Sequence, residues 1–198
     1  MALFKRAQLS FEEIIGIYNG NDASLMDFIL SYVYELKNKH PESEINSNYG
    51  GWQRQLEYIG DLLENDHPLK KFIGIEFLEH LKCYSVKQPT SLEFTALFCN
   101  INPPGSSNVM HHHMFGEFSG TLWVQAEQNA GQLIIMNPYP NRLINTSFIP
   151  IDKDYNSIHI DPESNKGVFF NSHLVHYVDI NRSQKDRVSI GYNLKVHY

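Results

Sequence analysis

The sequence predicts a mainly β protein, a small barrel preceded by N-terminal helices. Three observations carry that expectation. From Leu92 onward, short apolar runs alternate with turn punctuation at Pro103-Pro104-Gly105, Asn129-Ala130-Gly131, Asn137-Pro138, Asp161-Pro162 and Lys166-Gly167. Many strands at such close spacing belong to a sandwich or barrel, not to alternating strands and helices. Before Leu92, two segments carry a helical period instead. Finally, Met110-His111-His112-His113-Met114 lies in a strand-like context and is answered far downstream by His173-Leu174-Val175-His176.

In chain order, residues 1–21 are ambiguous. Ser10 with Glu13 fits a capping box, while Ile14-Ile15-Gly16-Ile17 fits a short strand. From Asp22, the positions Leu25, Phe28, Ile29, Tyr32, Val33 and Leu36 recur at helical spacing, and Lys37 and Lys39 suit a helix C-terminus that stops near His40-Pro41. The segment Ser47-Asn48-Tyr49-Gly50-Gly51-Trp52-Gln53 reads as a turn-rich loop, either pinned by a buried Trp52 or folded over the mouth of a site. A second helix opens with Pro68 in its first turn and runs to Leu81, with Phe72, Ile75 and Leu78 or Leu81 as its apolar stripe. Strands are expected at 92–101, 109–113, 118–125, 131–136, 144–149, 156–160, 166–171, 174–179 and 187–196. The layout is a helical support over about residues 1–90 and a β body over about 91–198, in one domain of 198 residues.

With 42% hydrophobic and 13% aromatic residues, the chain can bury a real core. Its net charge is −6, and it has no basic run, which argues against nucleic acid as a partner. Two cysteines, Cys83 and Cys99, cannot build a disulfide framework or a zinc knuckle, and both are expected to be buried thiols. No apolar run is long enough to span a bilayer, and the N-terminus lacks a signal-peptide apolar region, so a cytoplasmic protein without a membrane partner is expected.

The histidines carry the chemistry. In extended backbone His111 and His113 share one face and His112 points away. Two imidazoles on one face can grip one metal ion, and His176 is the best-placed third ligand. Iron(II), manganese and zinc all accept neutral imidazole, so the cluster alone does not name the metal. The usual non-haem iron site adds one carboxylate to two histidines; here His113 stands at that position, with Glu117 as reserve. Arg187 and Ser189 share a strand face eleven and thirteen residues beyond His176. Together they offer a guanidinium fork and a hydroxyl suited to the far carboxylate of a dicarboxylic co-substrate. Taken alone, Arg187 reads rather as an exposed strand cation; its spacing from His176 favours the carboxylate-binding reading instead. Trp123 is expected either to line the pocket or to pack in the core. His112 is expected to face away from the metal, either behind the ligands or at the surface, His173 to be a strand-edge or pocket residue, and His40, His67, His80, His159 and His197 to lie at the surface.

Several stretches together resemble the iron(II)- and 2-oxoglutarate-dependent oxygenases, in particular a small bacterial and phage group. They are Ser47 through Gln53, Asn100-Ile101-Asn102-Pro103-Pro104-Gly105, His111-His112-His113 leading to Ser119-Gly120, and Gly131-Gln132-Leu133 into Asn137-Pro138. The last two are Gly167 through Phe170-Asn171-Ser172 to His176, and Arg187-Val188-Ser189. The resemblance covers roughly residues 45–198. It implies a double-stranded β-helix (jelly-roll) core, with His111 and His176 on iron(II) and His113 in the carboxylate slot. It also implies Arg187 and Ser189 on 2-oxoglutarate, with dioxygen consumed and succinate released as an unspecified small-molecule or side-chain substrate is oxidised.

Three other readings stay open. Gly105-x5-His111-x-His113-x3-Glu117 fits the first metal motif of cupins, although the second motif's Pro-x-Gly is missing near His173-Leu174-Val175. A barrel that serves only as a binding module is a second, and zinc hydrolysis, which lacks an evident general base, a third. The helical segment offers a surface for a possible homodimer.

Overall fold

The structure is a computed structural model that describes residues 13, 15–20, 22–44, 46–56, 67–82, 87, 89–114, 116–138 and 156–198. Among these residues eleven strands and two helices follow one another: β1 (Gly16–Asn19), α1 (Ala23–Lys39), β2 (Asn48–Tyr49), β3 (Trp52–Gln55), α2 (Pro68–Leu81), β4 (Ser91–Asn102), β5 (Ser107–His111) and β6 (Phe118–Gln125), then β7 (Leu133–Met136), β8 (Ser157–Ile160), β9 (Lys166–Asn171), β10 (His176–Val178) and β11 (Arg187–His197). They form a six-stranded sheet in the order β1-β9-β6-β11-β4-β3 and a five-stranded sheet in the order β2-β5-β10-β7-β8. Every pairing is antiparallel. The mainly β expectation holds, and the two sheets are those of a double-stranded β-helix.

Alternation along β11 explains the layering. Val188, Ile190, Tyr192 and Leu194 are buried in one cluster with Leu97, Cys99 and Ile101 of β4 and with the helices. The residues between them, Ser189, Gly191 and Asn193, point the other way with Arg187, into the space between the sheets. A smaller cluster of Trp123, Leu133, Ile135, Ile160, Val168, Phe170 and Leu174 fills that space. Both helices therefore cover one face of the larger sheet, and the polar interior lies on its other face.

Each helix starts as its first residues dictate. Asp22 caps α1 by accepting from the Leu25 N–H at 2.9 Å, and Pro68 opens α2 behind the His67 cap. The α1 stripe of Leu25, Met26, Ile29, Val33 and Leu36 is buried, but Phe28 is exposed. On α2 the expected stripe holds only in part: Leu81 is buried, and Phe72 and Leu78 pack half-buried against the core. The buried row is Leu69, Ile73, Phe77 and Leu81, whereas Ile75 is exposed. This helix is apolar on several sides, so its rotation is set by the sheet below, where Phe77 meets Phe118 and Phe169 at centroid distances of 4.9 and 5.2 Å. The same rotation buries His80, expected at the surface, flat against Phe169. Burial lowers its pKa and keeps it neutral.

Other departures are local. The expected loop at 47–53 contains β2 and the start of β3, and the ambiguous N-terminal segment supplies β1 as a strand. Lys166-Gly167 lies within β9, and the turn before it is made at Asn165, with φ +67°. Cys99 is a buried thiol as expected; Cys83, the Ser10 cap and the strand expected at 144–149 fall outside the described residues.

Phe77 joins the helical layer to the sheet, so Phe77→Ala is expected to cost about 3–5 kcal/mol, read as a lower urea midpoint. An exposed control, Ile75→Ala, should cost under about 0.5 kcal/mol.

Candidate metal centre

The site begins with a register irregularity. On β10, His176 pairs with His111 and Val178 pairs with Asn108, so three steps on β5 oppose two on β10. The extra residue makes a bulge, which turns both Val109 and Met110 outward and both Asn108 and His111 inward. His113 lies beyond the end of β5 and is held there by its backbone N–H, which donates to Ser172 O at 3.0 Å. His111, His113 and His176 nevertheless converge, with one ring nitrogen of each within 4.8 Å of the others. His112 is exposed, as expected.

Hydrogen bonding orients the rings. Nδ1 of His111 lies 2.7 Å from Val109 O, and Nδ1 of His176 lies 2.9 Å from Leu174 O. A carbonyl only accepts, so each of these nitrogens carries the proton and Nε2 keeps its lone pair. Nδ1 of His113 lies 2.5 Å from Asn193 Oδ1 and 2.8 Å from Ser119 Oγ. Burial, reinforced by the neighbouring imidazoles, pushes His176 down to about 3 and His113 to about 4; burial also lowers His111. At neutral pH all three are uncharged donors, the state a divalent cation requires. This is a donor set that suits iron(II) or another borderline metal.

Arg187 is not the exposed cation that it could have been. It is 1% exposed, and its guanidinium donates to backbone carbonyls and one side-chain amide: Nη1 to Ala130 O and, at 3.2 Å, to Asp179 O, and Nη2 to Asn108 Oδ1 at 3.3 Å. The Asp179 carboxylate is taken by Arg182 at 2.7 Å, and no carboxylate among the described residues lies within ion-pair distance of Arg187. Burial brings its pKa down to about 10, so it remains charged at neutral pH. The Asp179 carboxylate, engaged by Arg182, offsets part of that burial from a distance; no carboxylate among the described residues touches the guanidinium, and a bound one would relieve the rest of the cost. Ser189 is its neighbour on the same face. One cross-strand row runs Gln53, Asn100, Ser189, Trp123 over β3, β4, β11 and β6. In that row Asn100 is buried with its Oδ1 unpartnered.

Two adjoining cavities meet at the histidines. An inner one of about 70 Å³ is lined by the triad, Asn100, Asn108, Trp123, Arg187 and Ser189. An outer one of about 440 Å³ is lined by His111, His112, His113 and Met114 with Asn46, Ser47, Gln53, Gln55, Phe98 and Asn193. Among the described residues, neither lining contains an acidic one. Trp123 thus lines the cavity and packs in the core at once. Trp52 is buried and its indole N–H donates to His40 O, while Ser47 and Gln53 reach the cavities, so that segment is both pinned and at the mouth.

Glu117 does not join the triad. Its carboxylate accepts from the Val196 N–H at 2.8 Å, which removes the fourth ligand that the cupin pattern needs. His173 is exposed and pairs with Glu13. Asn108, Ser119 and Asn193 are the site residues that sequence reasoning missed. Asn193 shares the strand period of Arg187 and Ser189, a signal that could have found it.

The depressed histidines fix a sign for acid stability. Unfolded imidazoles titrate near about 6.5, above their folded values, so the unfolded state binds more protons between about pH 4 and 6.5. The metal-free protein is therefore expected to lose thermal stability as pH falls through that window and to change little above it. In His176→Phe the pH dependence of Tm should be shallower.

Residues 96–193 match a family model described as "Putative 2OG-Fe(II) oxygenase". A search of curated proteins finds no match. Among solved structures, a prolyl-4-hydroxylase from Pseudomonas putida is similar at TM-score 0.60 and 12% identity, covering 90% of this chain and 91% of that one. The α-ketoglutarate-dependent epimerase SnoN from nogalamycin biosynthesis gives TM-score 0.64 at 14% identity, over 91% and 77%. HygX from Streptomyces hygroscopicus, solved with nickel and 2-oxoglutarate bound, gives TM-score 0.55 at 11% identity, over 91% and 81%. At these identities the structures speak for the fold, and the family model speaks for the stretch that holds the histidines, Arg187 and Ser189; the chain belongs to the iron(II)- and 2-oxoglutarate-dependent oxygenases.

Proposed function

We propose that His111, His113 and His176 hold the iron(II) of this oxygenase through Nε2, and that Arg187 and Ser189 hold the far carboxylate of its 2-oxoglutarate. The observation that carries the second half is the buried Arg187 guanidinium with no carboxylate partner among the described residues. Iron(II) with 2-oxoglutarate supplies the chemistry: dioxygen is consumed, the keto acid is decarboxylated to succinate, and a substrate is oxidised.

This chain's residues do the rest. Arg187 is anchored by main-chain carbonyls on one side, so its remaining donors are aimed before any ligand arrives, and little ordering entropy is left to lose on binding. Ser189 adds a hydroxyl donor on the same strand face, and Trp123, Leu133 and Phe170 exclude water around it. The substrate, a small molecule or a side chain, would enter by the outer cavity, where Gln53, Gln55 and Asn46 present neutral hydrogen-bonding groups.

The test is an anaerobic titration of iron(II) into the metal-free protein with 2-oxoglutarate, following the visible band that appears when both bind together. The band is expected in the wild type and absent in His176→Ala. In Arg187→Ala the iron should still bind, while the 2-oxoglutarate needed for half-saturation rises at least about tenfold, the loss of one charge-assisted pair. Iron binding without any 2-oxoglutarate response would refute the co-substrate assignment.

A further inference from the structure

We propose that Asn193, backed by Ser119 and Ser172, is the positioning residue that fixes His113 as the third donor of the site. The inference rests on the ligand triad proposed above. His111 and His176 are held by carbonyls two residues back in their own chain, Val109 O and Leu174 O. Those acceptors belong to the backbone and survive any side-chain change. His113 stands outside the strand and has no such carbonyl on its Nδ1. Its partners are side chains contributed by other strands: Asn193 Oδ1 of β11 at 2.5 Å and Ser119 Oγ of β6 at 2.8 Å.

The three supporting groups form a closed, directed chain. Ser119 Oγ donates to Asn193 Oδ1 at 2.9 Å. With its proton spent there, Ser119 can only accept from Ser172 Oγ, 2.7 Å away. Ser119, Ser172 and Asn193 are all buried, so the loss of any partner leaves a dry polar group behind. The amide orientation decides the function. With Oδ1 facing the ring, His113 must carry its proton on Nδ1, and Nε2 is free toward the other two rings. With the amide turned over, Nδ2 would donate to Nδ1, the proton would sit on Nε2, and the third ligand would be blocked. In the orientation present, Oδ1 accepts from the Ser119 hydroxyl and faces the His113 Nδ1 at once, so Ser119 supports the first state.

The arrangement also answers the missing carboxylate. An Asp or Glu ligand needs no tautomer, whereas a histidine in that place must be told which nitrogen to offer. Asn193 and Ser119 supply that instruction with neutral groups and leave the donor set uncharged.

The experiment compares wild type, Asn193→Asp, Asn193→Leu and Ser119→Ala. Two readouts are used: long-range 1H–15N NMR of the His113 imidazole in the metal-free protein, and cobalt(II) affinity by titration, with thermal melting as a folding control. The Nδ1–H tautomer is expected in wild type and in Asn193→Asp, which can only accept. In Asn193→Leu the Nε2–H form should appear and cobalt affinity should fall about 10–100-fold, with a lower melting temperature but a melt that stays cooperative, since the Ser119 hydroxyl loses its buried acceptor. Ser119→Ala should fall between wild type and Asn193→Leu. An Nε2–H ring in the wild type, or wild-type tautomer and affinity in Asn193→Leu, would overturn the proposal. If the wild type binds no cobalt at all, the ligand triad fails instead, and the tautomer comparison still decides the role of Asn193.

Discussion

The site depends on one strand being paired on both edges. β11 runs between β4 and β6, with its main-chain hydrogen bonds satisfied on either side, and this holds its register rigidly. The two-residue period then places Arg187, Ser189 and Asn193 along one line facing the interior, while Val188, Ile190, Tyr192 and Leu194 grip the helices. A slip of one residue would exchange these sets, putting a guanidinium among leucines and isoleucines from the sheet into the polar cavity. The apolar layer under the helices therefore also fixes where the charge sits.

Polarity inside the barrel is concentrated, and it is almost all neutral. The triad is uncharged at neutral pH, the network behind His113 is made of hydroxyls and an amide, and the outer cavity is lined by amides and imidazole. Among the described residues Arg187 is the exception, a full charge tied to main-chain oxygens and the Asn108 amide. Neutral hydrogen-bonded groups cost little to bury when every partner is present, whereas a lone cation asks for an anion. That contrast sets the hydrogen-bonded network behind His113 apart from Arg187, whose charge meets no carboxylate at ion-pair distance among the described residues.

Much of this was legible in the chain, for reasons that differ by element. β6 and β9 follow from apolar runs bounded by turn residues, and their limits agree with the expected ones to the residue. His111 and His176 were visible as candidate ligands because imidazoles two and sixty-odd residues apart in strand context have few other uses. The rotation of α2 was not legible, since Phe72, Ile75, Leu69, Ile73 and Phe77 leave several apolar faces, and only the sheet chooses between them. The bulge on β5 was equally hidden, because nothing in Ser107-Asn108-Val109-Met110 marks an extra residue before it is paired with β10. Asn108 and Asn193 were missed for the same reason: an amide in a strand looks like surface polarity until its neighbours are known.

The two kinds of tether on the histidines differ in how they respond to mutation over generations. His111 and His176 lean on main-chain oxygens, which no single substitution elsewhere can delete. His113 leans on Asn193 and Ser119, which one nucleotide change can remove. A lineage carrying this fold can thus alter one corner of the triad in small steps while the other two corners stay put. That corner is where new ligand chemistry would be explored first.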